Sequence, residues 1–252
     1  MNDNFFSDKT VIVTGGARGI GAAITRLFAE KGATVVINDL LEEDMDKLLS
    51  NLKDRGFDIH KYSADVSDER SVEKLKSFAF EVSGKVDILV NNAGVLKRTR
   101  FEGINIEEWD HVLDVNLRGV FLCCKAFYTG MKERGFGRIV NMSSSAGRSV
   151  STLGGAHYTV SKAGVLGLTR ALAKESAPFG VTVNAICPGL IDTEMVQNFA
   201  PKEEIEGFRK SFPIPRLGTP DEIAELVLFL ASDRAAYITG ASIDINGGDL
   251  ML

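Results

Sequence analysis

Short apolar runs alternate with longer segments of helical period along almost the entire chain, and few folds accept that pattern. The runs, over residues 10–13, 34–38, 58–63, 88–91, 137–143, 182–186 and 242–245, are rich in Val, Ile and Thr and read as strands. Apolar strands separated by helices must be covered on both faces. The chain therefore predicts an α/β fold: a doubly wound, three-layer arrangement around a seven-stranded parallel sheet. Helices are expected from near Gly19, Glu42, Asp68, Ile106, Ala156 and Asp221. Asp68 and Asp221 stand ahead of first-turn acids, where the helix dipole favours negative charge. With 252 residues, 44% of them hydrophobic, and no linker or repeat, residues 1–252 are expected to form a single domain. The stretch 190–217 is less regular. It sets Met195, Phe199, Phe208 and Phe212 among charges and closes on Pro213 and Pro215, a pattern that suits either a substrate lid or an amphipathic insertion.

Charge narrows the partners. Lys and Arg number 29 against 34 Asp and Glu, a net charge of -5 that gives no support for nucleic-acid binding and suits small-molecule or protein partners. The start of the chain lacks a signal-peptide pattern and no membrane-length apolar run follows, so a cytoplasmic protein without membrane partners is expected. Cys123, Cys124 and Cys187 have neither disulfide-framework nor metal-ligand spacing and read as small buried hydrophobes; no metal is expected. His60 and His111 are expected to be structural and Trp109 to be a packing residue. His157 is expected to touch substrate or solvent.

Thr14-Gly15-Gly16-Ala17-Arg18-Gly19-Ile20-Gly21 follows the first strand and opens the first helix. Backbone N–H groups there can meet a pyrophosphate, and glycines permit its close approach. The spacing is G-x-x-x-G-x-G, not the commoner dinucleotide pattern G-x-G-x-x-G. Asp39 ends the second strand about twenty residues on, where a carboxylate accepts from ribose hydroxyls and repels a 2′-phosphate. That favours NAD over NADP, although Arg18 could contact such a phosphate. Asp65 with Val66 suits an adenine-side contact. Asn91-Asn92-Ala93-Gly94 brings backbone close to the cofactor, or is routine turn chemistry.

Tyr158 and Lys162 stand four apart, on one face of a helix. An ammonium beside a phenol stabilises the phenolate and moves the tyrosine towards proton transfer at working pH.

In this order, the turn 14–21, Asn91 to Gly94, Asn116 in Asn116-Leu117-Arg118-Gly119, Ser143-Ser144-Ser145, Tyr158 with Lys162, and Pro188-Gly189 followed by Thr193 resemble the short-chain dehydrogenase/reductase family, in its single-domain branch. The Arg216 to Gly218 segment and the ending Ile245-Asn246-Gly247-Gly248 resemble 3-oxoacyl carrier-protein reductases and sugar or polyol dehydrogenases. The resemblance implies a Rossmann-type fold and hydride transfer between a nicotinamide cofactor and a secondary alcohol or ketone. It implies Tyr158 as general acid and base, and Lys162 as the group that lowers its pKa and bonds the nicotinamide ribose. Ser144 would orient the substrate oxygen and Asn116 would hold a water. Its cofactor contacts fall on Gly15, Arg18, Gly19, Ile20, Gly21, Asp39, Asp65, Val66, Asn92, Ala93, Gly94, Tyr158 and Lys162. Pro188, Gly189, Ile191 and Thr193 would shape the nicotinamide pocket.

The serine is open. Counting back from Gly147 gives Ser144, counting back from Tyr158 gives Ser145, and Ser143 is a third option; an insertion is easier to absorb in the loop after Arg148 than in a strand, which favours Ser144. Substrate choice falls to residues 96–100, 148–157 and 190–212, apolar segments with scattered cations. Relatives pair the helices that carry Asn116 and Tyr158, which implies a homotetramer. The alternatives are a 3-oxoacyl carrier-protein reductase using NADPH and a non-catalytic nucleotide-sensing module.

Overall fold

The computed structural model describes residues 5–252. Its strands are β1 (Thr10–Thr14), β2 (Thr34–Asn38), β3 (Ile59–Tyr62), β4 (Ile88–Asn91), β5 (Gly137–Met142), β6 (Val181–Pro188) and β7 (Ser242–Ile245). They form one parallel sheet in the order β3-β2-β1-β4-β5-β6-β7. The order reverses between β1 and β4, and chains leaving the two strands diverge to opposite faces. That divergence opens a crevice at their carboxyl ends.

Helices cover both faces, as the double burial of the strands requires. α1 (Gly19–Glu30), α2 (Glu42–Asp54) and α10 (Pro220–Ala231) bury Phe28, Met45, Leu52 and Val227 against Val11 and Val13 of β1. On the other face α3 (Glu69–Ser83), α5 (Gly119–Arg134) and α7 (Ala156–Ser176) bury Leu75, Phe127 and Val165 with Ile12 of the same strand. Alternation along β1 thus feeds two cores. The three cysteines are buried and unpaired. Between β4 and α5 lie α4 (Ile106–Leu113) and a π-helical turn, Asp114–Arg118. The short α6 (Ser145–Arg148) follows β5, and α8 (Glu194–Phe199) and α9 (Lys202–Ser211) follow β6.

Among the boundaries that differ from the sequence expectation, three matter most. Asp68 caps α3 by accepting from Ser71 N at 2.7 Å, but Asp221 does not begin α10. Thr219 does, through a capping box with Glu222, and Pro220 supplies the pre-set first position. β6 runs on to Pro188 because β7 pairs with its end, Pro188 opposite Ile245. β5 stops at Met142, so Ser143 lies beyond the sheet. Strand alternation therefore does not decide between the serines. Among the described residues, no helix is long and apolar enough to cross a membrane.

Candidate active site

A cleft of about 700 Å³ occupies the crevice. Its first wall is the glycine turn. A side chain at Gly21 would set Cβ 1.9 Å from the Gly15 carbonyl oxygen, and Gly15 and Gly19 take φ of +60° and +51°, which suit glycine. Arg18, at the N-cap of α1, makes no side-chain capping bond, and the first turn holds no acid. The N–H groups at this helix start are left for an anion, so the cradle fits a pyrophosphate. The turn is clamped to β4: Thr14 Oγ1 accepts from Asn92 N and Ala93 N, both at 3.1 Å, and Asn92 Nδ2 donates to Gly15 O at 2.8 Å.

Asp39 accepts from Ala17 N at 3.1 Å and Leu41 N at 3.2 Å, one bond to each carboxylate oxygen. Each oxygen keeps a lone pair for a ribose hydroxyl. Arg18 reaches across to carboxylates, Asp44 at 3.5 Å and Glu194 of α8 at 3.4 Å. Asp65 turns back on Ser67, accepting from its N–H at 2.8 Å. Arg18, Gly19, Ile20, Gly21, Asp39, Asp65, Val66, Asn92, Ala93 and Gly94 all line the cleft, as do Pro188, Gly189, Ile191 and Thr193 on the far side. Thr193 caps α8 and faces Gly19 across the gap.

Tyr158, Lys162 and Ser144 line the same cleft. Lys162 is buried, donates to Met142 O at 2.8 Å and lies 5.8 Å from the centre of the Tyr158 ring. Burial brings its pKa down from 10.5 to about 8, with the nearby Cys187 thiol acting the other way. The Tyr158 pKa is raised, because burial outweighs hydrogen bonding with Ser144. The lowering expected from Lys162 is thus overtaken by desolvation. Ser144 caps α6 through Ala146 N at 3.1 Å and lies beside the phenol; Ser143 and Ser145 also line the cleft, and Ser143 Oγ donates to Lys162 O at 2.8 Å. Ser143 thereby anchors the helix that carries the pair.

Asn116 sits behind the cleft, fully buried in the π-helical turn. Its Oδ1 accepts from Val95 N at 2.7 Å, and its Nδ2 donates to Val95 O at 2.9 Å and Ser161 Oγ at 3.1 Å. The π turn aims this amide at both neighbours, a use seen often at functional sites.

The histidines depart most from expectation. His157 touches neither substrate space nor solvent: it is fully buried, with Nε2 2.9 Å from Glu108 Oε1 and Nδ1 accepting from Tyr158 N at 2.9 Å. Nothing in the spacing of Glu108 and His157 signals this bond, since their elements meet only in the tertiary fold. His111, expected to be structural, is exposed at the rim of the cleft. His60 pairs with Asp58 at 2.8 Å, and Trp109 is half-buried in α4. Leu96, Leu153, Val196 and Phe199 give the remaining cleft an apolar lining.

A family model described as enoyl-(acyl carrier protein) reductase matches residues 15–249. The acetoacetyl-CoA reductase of Shinella zoogloeoides is 42% identical, over 97% of this chain and 99% of that protein. The chain belongs to the short-chain dehydrogenase/reductase family. The 3-oxoacyl-[acyl-carrier-protein] reductase of Thermotoga maritima is another relative, 38% identical over 95% of this chain and 97% of its own. The crystal structure of gox2181 superposes with a TM-score of 0.94 at 37% identity, covering 98% of both chains. Family membership makes this an oxidoreductase with a nicotinamide cofactor, and the crevice at the β1–β4 reversal is where such a fold holds it.

Proposed function

We propose that the protein interconverts a secondary alcohol and its ketone with NAD(H), Tyr158 acting as general acid and base. One observation carries this reading: Tyr158, Lys162 and Ser144 line the cleft that the glycine turn opens, so a carbonyl there meets proton donor and cofactor together. The nicotinamide, when bound, supplies or accepts the hydride. Tyr158 gives its proton to the substrate oxygen in reduction and takes it back in oxidation. Ser144 hydrogen-bonds that oxygen as its charge grows. A protonated Lys162 favours the phenolate against the opposing effect of burial. Asn116 keeps one Oδ1 lone pair for a water on the Lys162 side.

Asp39 supports NAD: a carboxylate just past β2 would accept from ribose hydroxyls and repel a 2′-phosphate, and Arg18 is already engaged by Asp44 and Glu194. The apolar cleft beyond Tyr158 suits a short, moderately apolar ketone, with residues 190–217 closing over it in a single-domain chain. Exposed Phe121 on α5 and Val160 on α7 support a homotetramer, for which light scattering is the check. The names of the relatives favour a second reading, reduction of a 3-oxoacyl thioester, for which the family resemblance implies NADPH.

Tyr158→Phe should lower turnover by about 10²- to 10⁴-fold while NADH binding, followed by fluorescence, stays intact. Undiminished turnover would sink the mechanism. Initial rates with NADH and NADPH on acetoacetyl-CoA and an enoyl thioester, and with NAD+ and NADP+ on cyclic secondary alcohols and polyols, separate the readings; a clear preference for the phosphorylated cofactor overturns the role given to Asp39.

A further inference from the structure

The buried imidazole next to Tyr158 links the start of α7 to α4, close to the loop that follows β4. His157 is the second residue of α7, and its Nδ1 shares the Tyr158 N–H with the Gly155 carbonyl, at 2.9 and 3.1 Å. An accepting Nδ1 places the ring proton on Nε2, which donates to Glu108 Oε1 on α4 at 2.9 Å. The Thr99 side chain and His157, in that order, hold the Glu108 carboxyl below the usual range. Thr99 belongs to the loop whose Leu96 lines the cleft. The same loop is tied to α7 by Gly155 N donating to Lys97 O at 2.8 Å.

The loop and the phenol face each other at close range. A Cβ on Gly154 would lie 2.6 Å from Leu96 Cδ1 and 2.9 Å from Tyr158 Cδ1, so only a bare glycine separates substrate wall from phenol. Asn116, one element beyond α4, holds Val95 in the same loop. The Glu108–His157 bond therefore fastens α4, which continues from this loop, to the start of the helix that carries the proton donor.

We propose that Glu108 and His157 form a clip that sets Tyr158 against the substrate wall, making both of them positioning residues for proton transfer. This rests on the reading of Tyr158 as general acid and base. Neither residue touches the reacting atoms. Their effect belongs in kcat, because a phenol displaced by a fraction of an ångström still lets substrate and cofactor bind but meets the carbonyl badly.

The test is a double-mutant cycle in the full chain with NADH and acetoacetyl-CoA. Glu108→Ala is expected to lower kcat about tenfold, leaving the acetoacetyl-CoA KM and the NADH Kd within about twofold. Glu108→Gln, which keeps an acceptor, should recover most of the rate. His157→Leu combined with Glu108→Ala should be no slower than the worse single variant, because the two act through one bond. Glu108 is partly exposed, so its variants report even where His157→Leu fails to fold. Hydrogen exchange at the Tyr158 amide, faster in Glu108→Ala, reads the clip without any turnover. Wild-type kcat in Glu108→Ala, additive losses in the cycle, losses confined to KM or Kd, or unchanged amide exchange would each overturn the clip. If Tyr158→Phe stays active, the reading of the site falls instead; if Tyr158→Phe is dead while Glu108→Ala is normal, only the clip falls.

Discussion

The two walls of the cleft are built differently. The cofactor wall is made of strand ends and one helix start, fastened by buried or half-buried side-chain-to-backbone bonds such as Thr14 with Ala93 and Asn92 with Gly15. Beneath it Asn91, Asn141 and Thr169 form a buried chain at 2.8 and 2.9 Å. The substrate wall is made of loops and the short helices α8 and α9. It rests on a small separate cluster of Leu153, Val196, Ala200 and Ile205 and on the partly exposed Arg98, which donates to Phe199 O at 2.9 Å and Glu204 at 2.8 Å. A few exposed polar bonds give little stability, so this wall is held less firmly than the other. The difference suits a site that holds one constant partner and admits varied ones.

Breaking the fixed wall should have the largest effects. Lys162→Met is expected to cut turnover about 100-fold or more, yet raise the melting temperature at pH 7 by removing a buried charge. The sign follows from linkage: Lys162 titrates near 8 folded against 10.5 ordinarily, so between these values the unfolded chain holds more protons. Wild-type stability therefore gains from this group as pH rises through that window, and the melting advantage of Lys162→Met should shrink from pH 8 to 10.5. An advantage that grows with pH would refute the burial argument. Gly21→Ala comes next. Its Cβ must displace the Gly15 carbonyl, and NADH affinity should fall at least about tenfold with the substrate wall untouched. Smallest is Arg98→Ala, expected to raise substrate KM about two- to fivefold and leave NADH affinity unchanged, as befits an exposed ion pair. Equal losses in both affinities would show that the walls move as one.

Much of the cofactor wall was legible in the chain, since a strand, a glycine turn and a helix start are consecutive residues. The same holds for Tyr158 and Lys162, one helical turn apart. The choice between Ser144 and Ser145 stayed open, with Ser144 favoured, because where β5 stops depends on its pairing with β4 and β6. His157 looked free and proved buried, because its partner Glu108 comes from an element distant in sequence. Tyr158 was expected to be lowered by its lysine and is raised, because burial is a property of the assembled cleft.

By itself, then, the order of residues determined the alternation of elements, the doubly covered sheet and the local motifs, all of which rest on short-range periodicity and backbone freedom. Tertiary structure decided the environment of each group: which carboxylate meets His157, how far Lys162 is desolvated, and which wall is held by buried bonds. Those depend on dielectric and on contacts between distant segments, and neither exists until the chain has folded.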